Sequence, residues 1–344
     1  MAKTLLLTGG MGFIGRNFAQ YLHANHPEYR IVVLDALTYA SSEGVDEEWS
    51  AGRDVDELWK GNVCNGQLVD ELVSRTDIIV HMAAESHVTR SIYDDRLFFE
   101  TDVLGTQTLA NAAVRHRDRV ERFIHISSSE VYGSAVNGMM DENHPLSPMS
   151  PYASAKCGAD RLVYSYWETY RLPAVIVRPF NTFGPGQHLE KAVPRFITSC
   201  LLGEPITIHG DGTAARDWMF VEDLCRALHR LLEVDLGSVV GQAINLGTGR
   251  HTSVMDVANS VRKATGSSPP IPFEFLCERP GQVIRHTCDA SKAARLLGWE
   301  ASVPFDLGLA STIDWYRENE RWWKPQISMR HVPIVGVDGS ADLH

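Results

Sequence analysis

Apolar positions in the first half of the chain fall in short runs separated by stretches with helical spacing. The runs are Leu5 to Leu7, Ile31 to Leu34, Ile78 to His81, Phe123 to Ser127 and Ala174 to Arg178. After the first, apolar residues recur at Ile14, Phe18, Tyr21 and Leu22, the period of an amphipathic helix. Strands alternating with helices predict an α/β fold, a right-handed doubly wound parallel sheet with its ligand at the carboxyl ends of the strands. Beyond Phe180 the pattern loosens, punctuated by Gly184-Pro185-Gly186, Gly210-Asp211-Gly212 and Gly247-Thr248-Gly249. Residues 1–178 are therefore expected to form a nucleotide-binding domain. Residues 179–325 form a smaller α/β substrate lobe interleaved with it, and 326–344 a poorly ordered tail. Ser267 to Pro272 and the acidic Asp46-Glu47-Glu48 read as loops.

The turn after the first run narrows the ligand. Thr8-Gly9-Gly10-Met11-Gly12-Phe13-Ile14-Gly15 joins a strand to a helix. Gly9 permits the turn, Gly12 lets backbone approach a pyrophosphate, Gly15 lets the helix pack on the strand, and the helix N-terminus faces the anion. Asp35 ends the second run about 20 residues later, where a carboxylate accepts the ribose hydroxyls of NAD. Ala36-Leu37-Thr38 offers no cation for the extra phosphate of NADP. The first domain thus reads as a Rossmann domain for NAD.

A second constellation supplies chemistry. Tyr152 and Lys156, four apart on a helix, share one face. An ammonium near the phenol, together with a positively charged nicotinamide ring, favours the phenolate and makes a base of it. Ser128, within Ser127-Ser128-Ser129-Glu130-Val131-Tyr132-Gly133, is placed to hydrogen-bond the oxygen being oxidised.

Composition excludes several alternatives. With 344 residues, 44% of them hydrophobic, the chain can fill a full core plus a second lobe. It carries no apolar run of membrane-spanning length and no basic segment leading into an apolar one, so a cytoplasmic protein is expected. Cys64, Cys157, Cys200, Cys225, Cys277 and Cys288 lack Cys-x-x-Cys pairing and read as reduced packing residues. A formal charge of -11 argues against nucleic acid or an anionic membrane as partner, while leaving room for a local basic pocket. His81 and His87 lack the spaced partners of a metal site, so no metal is expected. Trp315, Trp322 and Trp323 read as packing aromatics.

These segments resemble the extended short-chain dehydrogenase/reductases that modify nucleotide sugars, and most closely the NDP-hexose 4,6-dehydratases. The resemblance runs from about Lys3 to Trp323. It is carried by the glycine turn, Leu34-Asp35-Ala36-Leu37-Thr38-Tyr39-Ala40, His81-Met82-Ala83-Ala84-Glu85-Ser86-His87-Val88-Thr89-Arg90-Ser91 and the Ser-Glu-Val-Tyr-Gly and Tyr-x-x-x-Lys segments. Arg178-Pro179-Phe180-Asn181, Leu189-Glu190-Lys191, Arg216-Asp217-Trp218 and Arg279-Pro280-Gly281 extend it.

The resemblance implies that Gly9, Gly12, Phe13, Ile14 and Gly15 hold the pyrophosphate, Asp35, Ala36 and Tyr39 the adenosine ribose, and Asn62 and Val63 the adenine, with Ala83 and Ala84 beside the nicotinamide. It implies a nucleotide-sugar site of Ser86, Arg90, Asn181, Glu190, Lys191, Arg216, Asn245 and Arg285. A diphosphate needs focused cations in an acidic protein, which Lys191, Arg216 and Arg285 supply. Arg195 and Arg279 read as solvated surface charges. It also implies a homodimer built on a four-helix bundle, formed by the helix through Leu104, Leu109 and Ala112 and the helix from Tyr152 to Tyr170.

For the reaction, the resemblance implies oxidation at C4 with Tyr152 as base, removal of the C5 proton by Glu130, and loss of the 6-hydroxyl as water to give a 4-keto-6-deoxy sugar. The dTDP-glucose enzymes have aspartate where this chain has Ser129, and serine is a poor acid. GDP-mannose dehydratases share Ser-Glu at this place, and so do UDP-glucuronate decarboxylases. A decarboxylase, a 4-epimerase or a cofactor-sensing binding protein on the same scaffold are the alternatives.

Overall fold

The computed structural model describes residues 2–41, 54–136, 138–266, 268–335 and 341–343, so the acidic stretch Asp46-Glu47-Glu48 lies outside the described residues. The first half runs β1 (Thr4–Thr8), α1 (Phe13–Asn25), β2 (Arg30–Asp35), β3 (Glu57–Lys60), α2 (Gly66–Val73), β4 (Ile78–His81), α3 (Val88–Tyr93) and α4 (Arg96–Phe98). A π-helical stretch, Phe99–Gly105, then leads into α5 (Thr106–Arg115), β5 (Arg122–Ile126), a 3-10 turn at Ser129–Tyr132, α6 (Pro151–Tyr170) and β6 (Ala174–Pro179). The second half comprises β7 (Asn181–Phe183), α7 (Ala192–Leu202), β8 (Ile206–His209), β9 (Ala215–Arg216), β10 (Trp218–Phe220), α8 (Val221–Glu233), α9 (Leu236–Val239), β11 (Ala243–Leu246), β12 (Thr252–Ser253), α10 (Val254–Thr265), β13 (Phe273–Leu276), α11 (Ser291–Leu297) and α12 (Phe305–Glu318).

Seven parallel strands form the central sheet in the order β11-β6-β5-β4-β1-β2-β3. This is the doubly wound sheet expected from the apolar runs, which mark five of its strands. Strands buried on both faces read as continuous apolar runs, and Leu5, Leu6 and Leu7 are all fully buried. The two edge strands went unanticipated for opposite reasons. The β3 segment Glu57-Leu58-Trp59-Lys60 is half exposed and mixed in character. The β11 strand has the short segment Ala243-Ile244-Asn245-Leu246 and pairs with β6 from far along the chain.

Helices cover both faces. On one, Leu5, Leu7 and Phe18 pack with Leu224, Leu228 and Leu231 of α8 and with Leu297 and Trp299. On the other, Leu6 and Val32 pack with Leu109 of α5 and Val163 and Tyr166 of α6. A separate core in the second half gathers Phe183, Phe196, Tyr316, Trp322 and Trp323, with the Trp315 ring edge-on to Trp322 at 5.0 Å. None of the six cysteines is in a disulfide; Cys200, Cys225 and Cys288 are buried as packing residues, whereas Cys64 and Cys277 are exposed.

The tail is more structured than its sequence suggested. After α13 (Glu320–Trp323) the chain makes a 3-10 helix, Lys324–Arg330, and a short strand, β14 (Pro333–Val335). The buried Trp322 and Trp323 anchor this segment. Arg330 donates to Ser199 Oγ at 3.3 Å and to Glu204 Oε2 at 2.5 Å, and Val332 is buried. The sequence suggested a loose end, yet Arg330 is paired and Val332 packs into the fold.

Candidate active site at the carboxyl edge of the sheet

A parallel sheet presents the carboxyl ends of its strands along one edge, and the loops leaving β1, β2, β4, β5 and β6 bound one continuous cavity of about 480 Å³. At one end lie the glycine turn and the end of β2. Gly9 sits at φ 70°, and a Cβ there would lie 2.6 Å from Ala83 N; one on Gly15 would lie 2.4 Å from Gly9 O. Gly12 caps α1, and Asp35 ties the turn to β2, its carboxylate accepting from Met11 N at 2.9 Å and Leu37 N at 2.8 Å. Phe13, Ile14, Ala36, Asn62, Val63, Ala83 and Ala84 also line the cavity. Asn62 Oδ1 accepts from Cys64 N at 2.8 Å, which spends part of its acceptor capacity within the fold.

At the middle of the cavity stand Ser128, Ser129, Glu130, Tyr152 and Lys156. The Ser150 side chain caps α6 by accepting from Ala153 N at 3.2 Å, and Pro151 opens its first turn. This fixes the start of the helix that carries Tyr152 and Lys156. The Phe98 ring lies edge-on to Tyr152 at 6.3 Å. Lys156 is buried and its Nζ donates to Ile126 O at 2.6 Å, so the ammonium is directed at the end of β5. Burial pushes the Tyr152 phenol up, Asp102 and Glu130 raise it further, and a hydrogen bond with Ser128 lowers it. Lys156 shares the helix face of Tyr152 and lines the same cavity, with its ammonium bonded to the carbonyl at the end of β5.

Glu130 behaves differently. Burial would raise its carboxyl, but His286, Arg216, Arg279 and Lys191 together hold it below the ordinary value, so it is a carboxylate at neutral pH. Behind it, His286 Nε2 lies 2.7 Å from Gly133 O, and Nδ1 lies 3.4 Å from Ser129 Oγ and 4.0 Å from Glu130 Oε1. Asp102, turned inward by the π-helical stretch, accepts from Glu85 N at 2.8 Å and has its carboxyl raised, chiefly by burial, against the pull of Lys156.

The far end is cationic. Lys191, Arg195, Arg216, Arg279 and Arg330 line it together with Ser86, Asn181 and Glu190. Lys191 Nζ donates to Ser86 O at 2.5 Å. Glu190 is pulled down to about 2: burial opposes this, but His87, Lys191, His188 and Arg90 outweigh it. Arg90 donates to Glu190 at 2.9 Å and covers the Tyr39 ring at 4.3 Å, while Tyr39 donates to Glu190 at 3.3 Å. Tyr39 and Arg90 thus brace Glu190 from behind the cavity wall.

Besides Tyr39 and Arg90, which bond Glu190 and do not line the ribose or sugar site where they were expected, four residues sit elsewhere than their sequence suggested. Asn245, expected at the substrate, is fully buried in β11; its side chain accepts from Tyr132 and donates to Met140 O, and its N–H donates to Glu142. It is a packing residue, because a strand bonded to β6 turns it into the fold. Arg285, expected at the diphosphate, is exposed, with only long contacts at 3.5 Å to Thr287 and His251. Arg195 and Arg279, expected on the surface, line the cavity, and Arg195 is buried. Arg330 and His286 were missed altogether, and nothing local in the sequence marks them. His81 bonds Thr8 Oγ1 and Thr106 Oγ1 through its two ring nitrogens, and His87 caps α3.

A doubly wound sheet with a glycine turn, a Ser/Tyr/Lys set and a cationic second lobe defines an extended short-chain dehydrogenase/reductase of nucleotide sugars. The chain belongs to the GDP-mannose 4,6 dehydratase family, whose model matches residues 6–312, and is a nucleotide-sugar 4,6-dehydratase. It is 42% identical to a low-salt glycan biosynthesis protein of Haloferax volcanii, over 91% of this chain and 98% of that one. It is 38% identical to a dTDP-glucose 4,6-dehydratase of Streptomyces niveus, over 93% and 95%. The structure of DesIV, a dTDP-glucose 4,6-dehydratase from Streptomyces venezuelae solved with NAD bound, superposes with a TM-score of 0.87 at 37% identity, covering 94% of this chain and 99% of that one.

Proposed function

We propose that the substrate is a neutral nucleotide-diphosphate hexose, held by its diphosphate at the cationic end and converted to its 4-keto-6-deoxy form. The observation that carries this reading is Glu130, an ionised carboxylate in the same cavity as Tyr152 and next to Ser129. An epimerase needs no base beyond the tyrosine, whereas elimination needs a second one for the C5 proton.

The cofactor is NAD. No side chain fits at Gly9 or Gly15, so the backbone of the turn and the N-terminus of α1 at Gly12 face the cavity bare, which suits a pyrophosphate, and Asp35 suits the adenosine ribose. Bound there, NAD would supply a hydride acceptor for C4 and a hydride donor for C6. Tyr152 removes the proton of the 4-hydroxyl, with Ser128 hydrogen-bonded to the phenol, and Lys156 places positive charge beneath the site. Burial raises the phenol and its hydrogen bond with Ser128 lowers it, and the positive charge of a bound nicotinamide would favour the phenolate further. The resulting ketone acidifies C5, and Glu130 takes that proton. Lys191, Arg216 and Arg279 meet the diphosphate, whose binding energy positions the hexose for the chemistry.

The two ends of the cavity divide the labour between residues 1–178 and 179–325, although α8, α11 and β11 of the second segment complete the first. The protein works as a homodimer through α5 and α6. In support, Leu97, Phe99 and Leu104 before α5 and Tyr164 on α6 are exposed. No helix among the described residues is long and apolar enough to cross a membrane, and six cysteines without a disulfide suit a reducing cytoplasm. The test is a panel of dTDP-, UDP-, GDP- and CDP-hexoses together with UDP-glucuronate, read by mass. Loss of water from a neutral hexose supports the reading; release of carbon dioxide from UDP-glucuronate alone refutes it.

A further inference from the structure

We propose that Ser129 and His286 together supply the proton that departs with the 6-hydroxyl, Ser129 touching the substrate and His286 acting through it. This rests on the dehydratase reading above. C5 and C6 are bonded neighbours, so the base for one and the acid for the other must stand side by side. Glu130 and Ser129 are consecutive and both line the cavity. A serine hydroxyl is too weak an acid to give up a proton by itself, so it needs a donor behind it.

His286 occupies that place. It is fully buried, with its ring edge-on to Phe180 at 5.8 Å. A carbonyl oxygen only accepts, so the 2.7 Å contact with Gly133 O fixes the hydrogen on Nε2. Nδ1 is therefore the atom that gains and loses a proton, and it points toward Ser129 Oγ at 3.4 Å and Glu130 at 4.0 Å.

The surrounding charges couple the proton to the reaction. Burial, the largest influence, holds the imidazolium below its ordinary range; the Glu130 carboxylate and the hydrogen bond to Gly133 O favour it, and Arg216 and His144 oppose it. A diphosphate on Arg216 offsets that cation and leaves Glu130 as the dominant neighbour. When Glu130 accepts the C5 proton its charge disappears, so the imidazolium becomes a stronger acid as the hydroxyl leaves. In that step the C5–H electron pair forms the C5–C6 double bond and the C6–O bond breaks toward oxygen. The oxygen takes the Ser129 proton, and Ser129 takes the Nδ1 proton of His286. Water departs; His286 regains its proton from solvent, which in turn receives the one Tyr152 took from the 4-hydroxyl.

The test compares His286→Gln, Ser129→Ala and the double variant on dTDP-glucose and on dTDP-6-chloro-6-deoxyglucose. Glutamine keeps neutral hydrogen bonds but delivers no proton, and chloride leaves without one. On dTDP-glucose each single variant should lose on the order of 10²-fold in kcat with KM little changed. The double variant should be no worse, because the two residues act as one unit. On the chloro sugar the same variants should stay within about threefold of the parent enzyme. Wild-type kcat should fall as pH rises through the imidazolium's ionisation, and His286→Gln should lose that limb. Adding Ser129→Asp should rescue His286→Gln. Equal losses on both sugars, or an unimpaired His286→Gln, would overturn the proposal while leaving the dehydratase reading intact. If His286→Gln does not fold, Ser129→Ala carries the same leaving-group comparison. No conversion of any nucleotide hexose by the parent enzyme overturns the dehydratase reading and this proposal with it.

Discussion

The two ends of the cavity face similar chemistry, a diphosphate each, and meet it in opposite ways. The cofactor end uses backbone: a glycine turn, a helix N-terminus and a carboxylate, Asp35, that ties the turn to the end of β2 by accepting from Met11 N and Leu37 N. The substrate end uses side chains, with Lys191, Arg195, Arg216, Arg279 and Arg330 converging from four separate stretches of chain. Backbone recognition is rigid and suits a cofactor that stays. Side-chain recognition can be exchanged residue by residue, which suits a lobe whose substrate sets the enzyme's identity. An overall charge of -11 is compatible with both, since what matters is where the cations are focused.

The largest effect should come where the two ends meet. Tyr152→Phe removes the base and should lower kcat by about 10³-fold or more, while cofactor content after gel filtration stays near that of the parent enzyme. A variant that kept substantial activity would break the assignment of Tyr152 altogether.

Next in size is a change at the cofactor end alone. Gly15→Ala places a methyl 2.4 Å from Gly9 O, and because that atom is backbone the turn itself must shift. Retained NAD should fall sharply, with a stability loss of about 1–3 kcal/mol by urea unfolding. Full cofactor content in this variant would contradict the tight backbone approach.

The corresponding change at the substrate end should be separable from it. Arg216→Ala should raise KM for the nucleotide sugar by roughly tenfold to a hundredfold, the range of a charge-assisted hydrogen bond, and leave NAD content unaltered. Arg285→Ala, on an exposed residue, should change KM by less than about threefold. A reversal of these two effects would restore the sequence-based expectation over the structural one.

The same asymmetry explains what the sequence made legible. A backbone grip needs glycines at fixed spacing and a carboxylate a set distance on, so Gly9, Gly12, Gly15 and Asp35 announce themselves within one stretch of chain. Tyr152 and Lys156 are equally local, although the direction of the Lys156 ammonium depends on the Ile126 carbonyl from a distant strand. A side-chain grip leaves no such trace. Arg279 and Arg285 stand six apart in one polar segment, and only the way that segment pairs with Ala215 at Arg285 decides which of them faces the cavity. Asn245 was misplaced for the same reason, its strand being claimed by the central sheet.

A smaller effect concerns stability in acid. Glu190 is held down to about 2, well below a free carboxyl, so its stabilising contacts are fully present above the ordinary carboxylate range and are lost as pH falls toward 2. Urea midpoints measured from pH 6 down to pH 3 should fall less steeply for Glu190→Gln than for the parent enzyme. Parallel slopes would mean that Arg90, Lys191 and the neighbouring histidines do not stabilise the charge.

The central claim is that one cavity carries out oxidation at C4 and elimination across C5 and C6. The most direct measurement is turnover of the hexose selected by the panel in deuterium oxide, with the product's deuterium located by NMR. Glu130 exchanges its proton with solvent before returning it, so the account predicts a 4-keto-6-deoxy sugar with solvent deuterium at C5 and the original C4 hydrogen on C6. A product that keeps its 6-hydroxyl, or one with solvent deuterium at C6 in place of the transferred hydrogen, would contradict it.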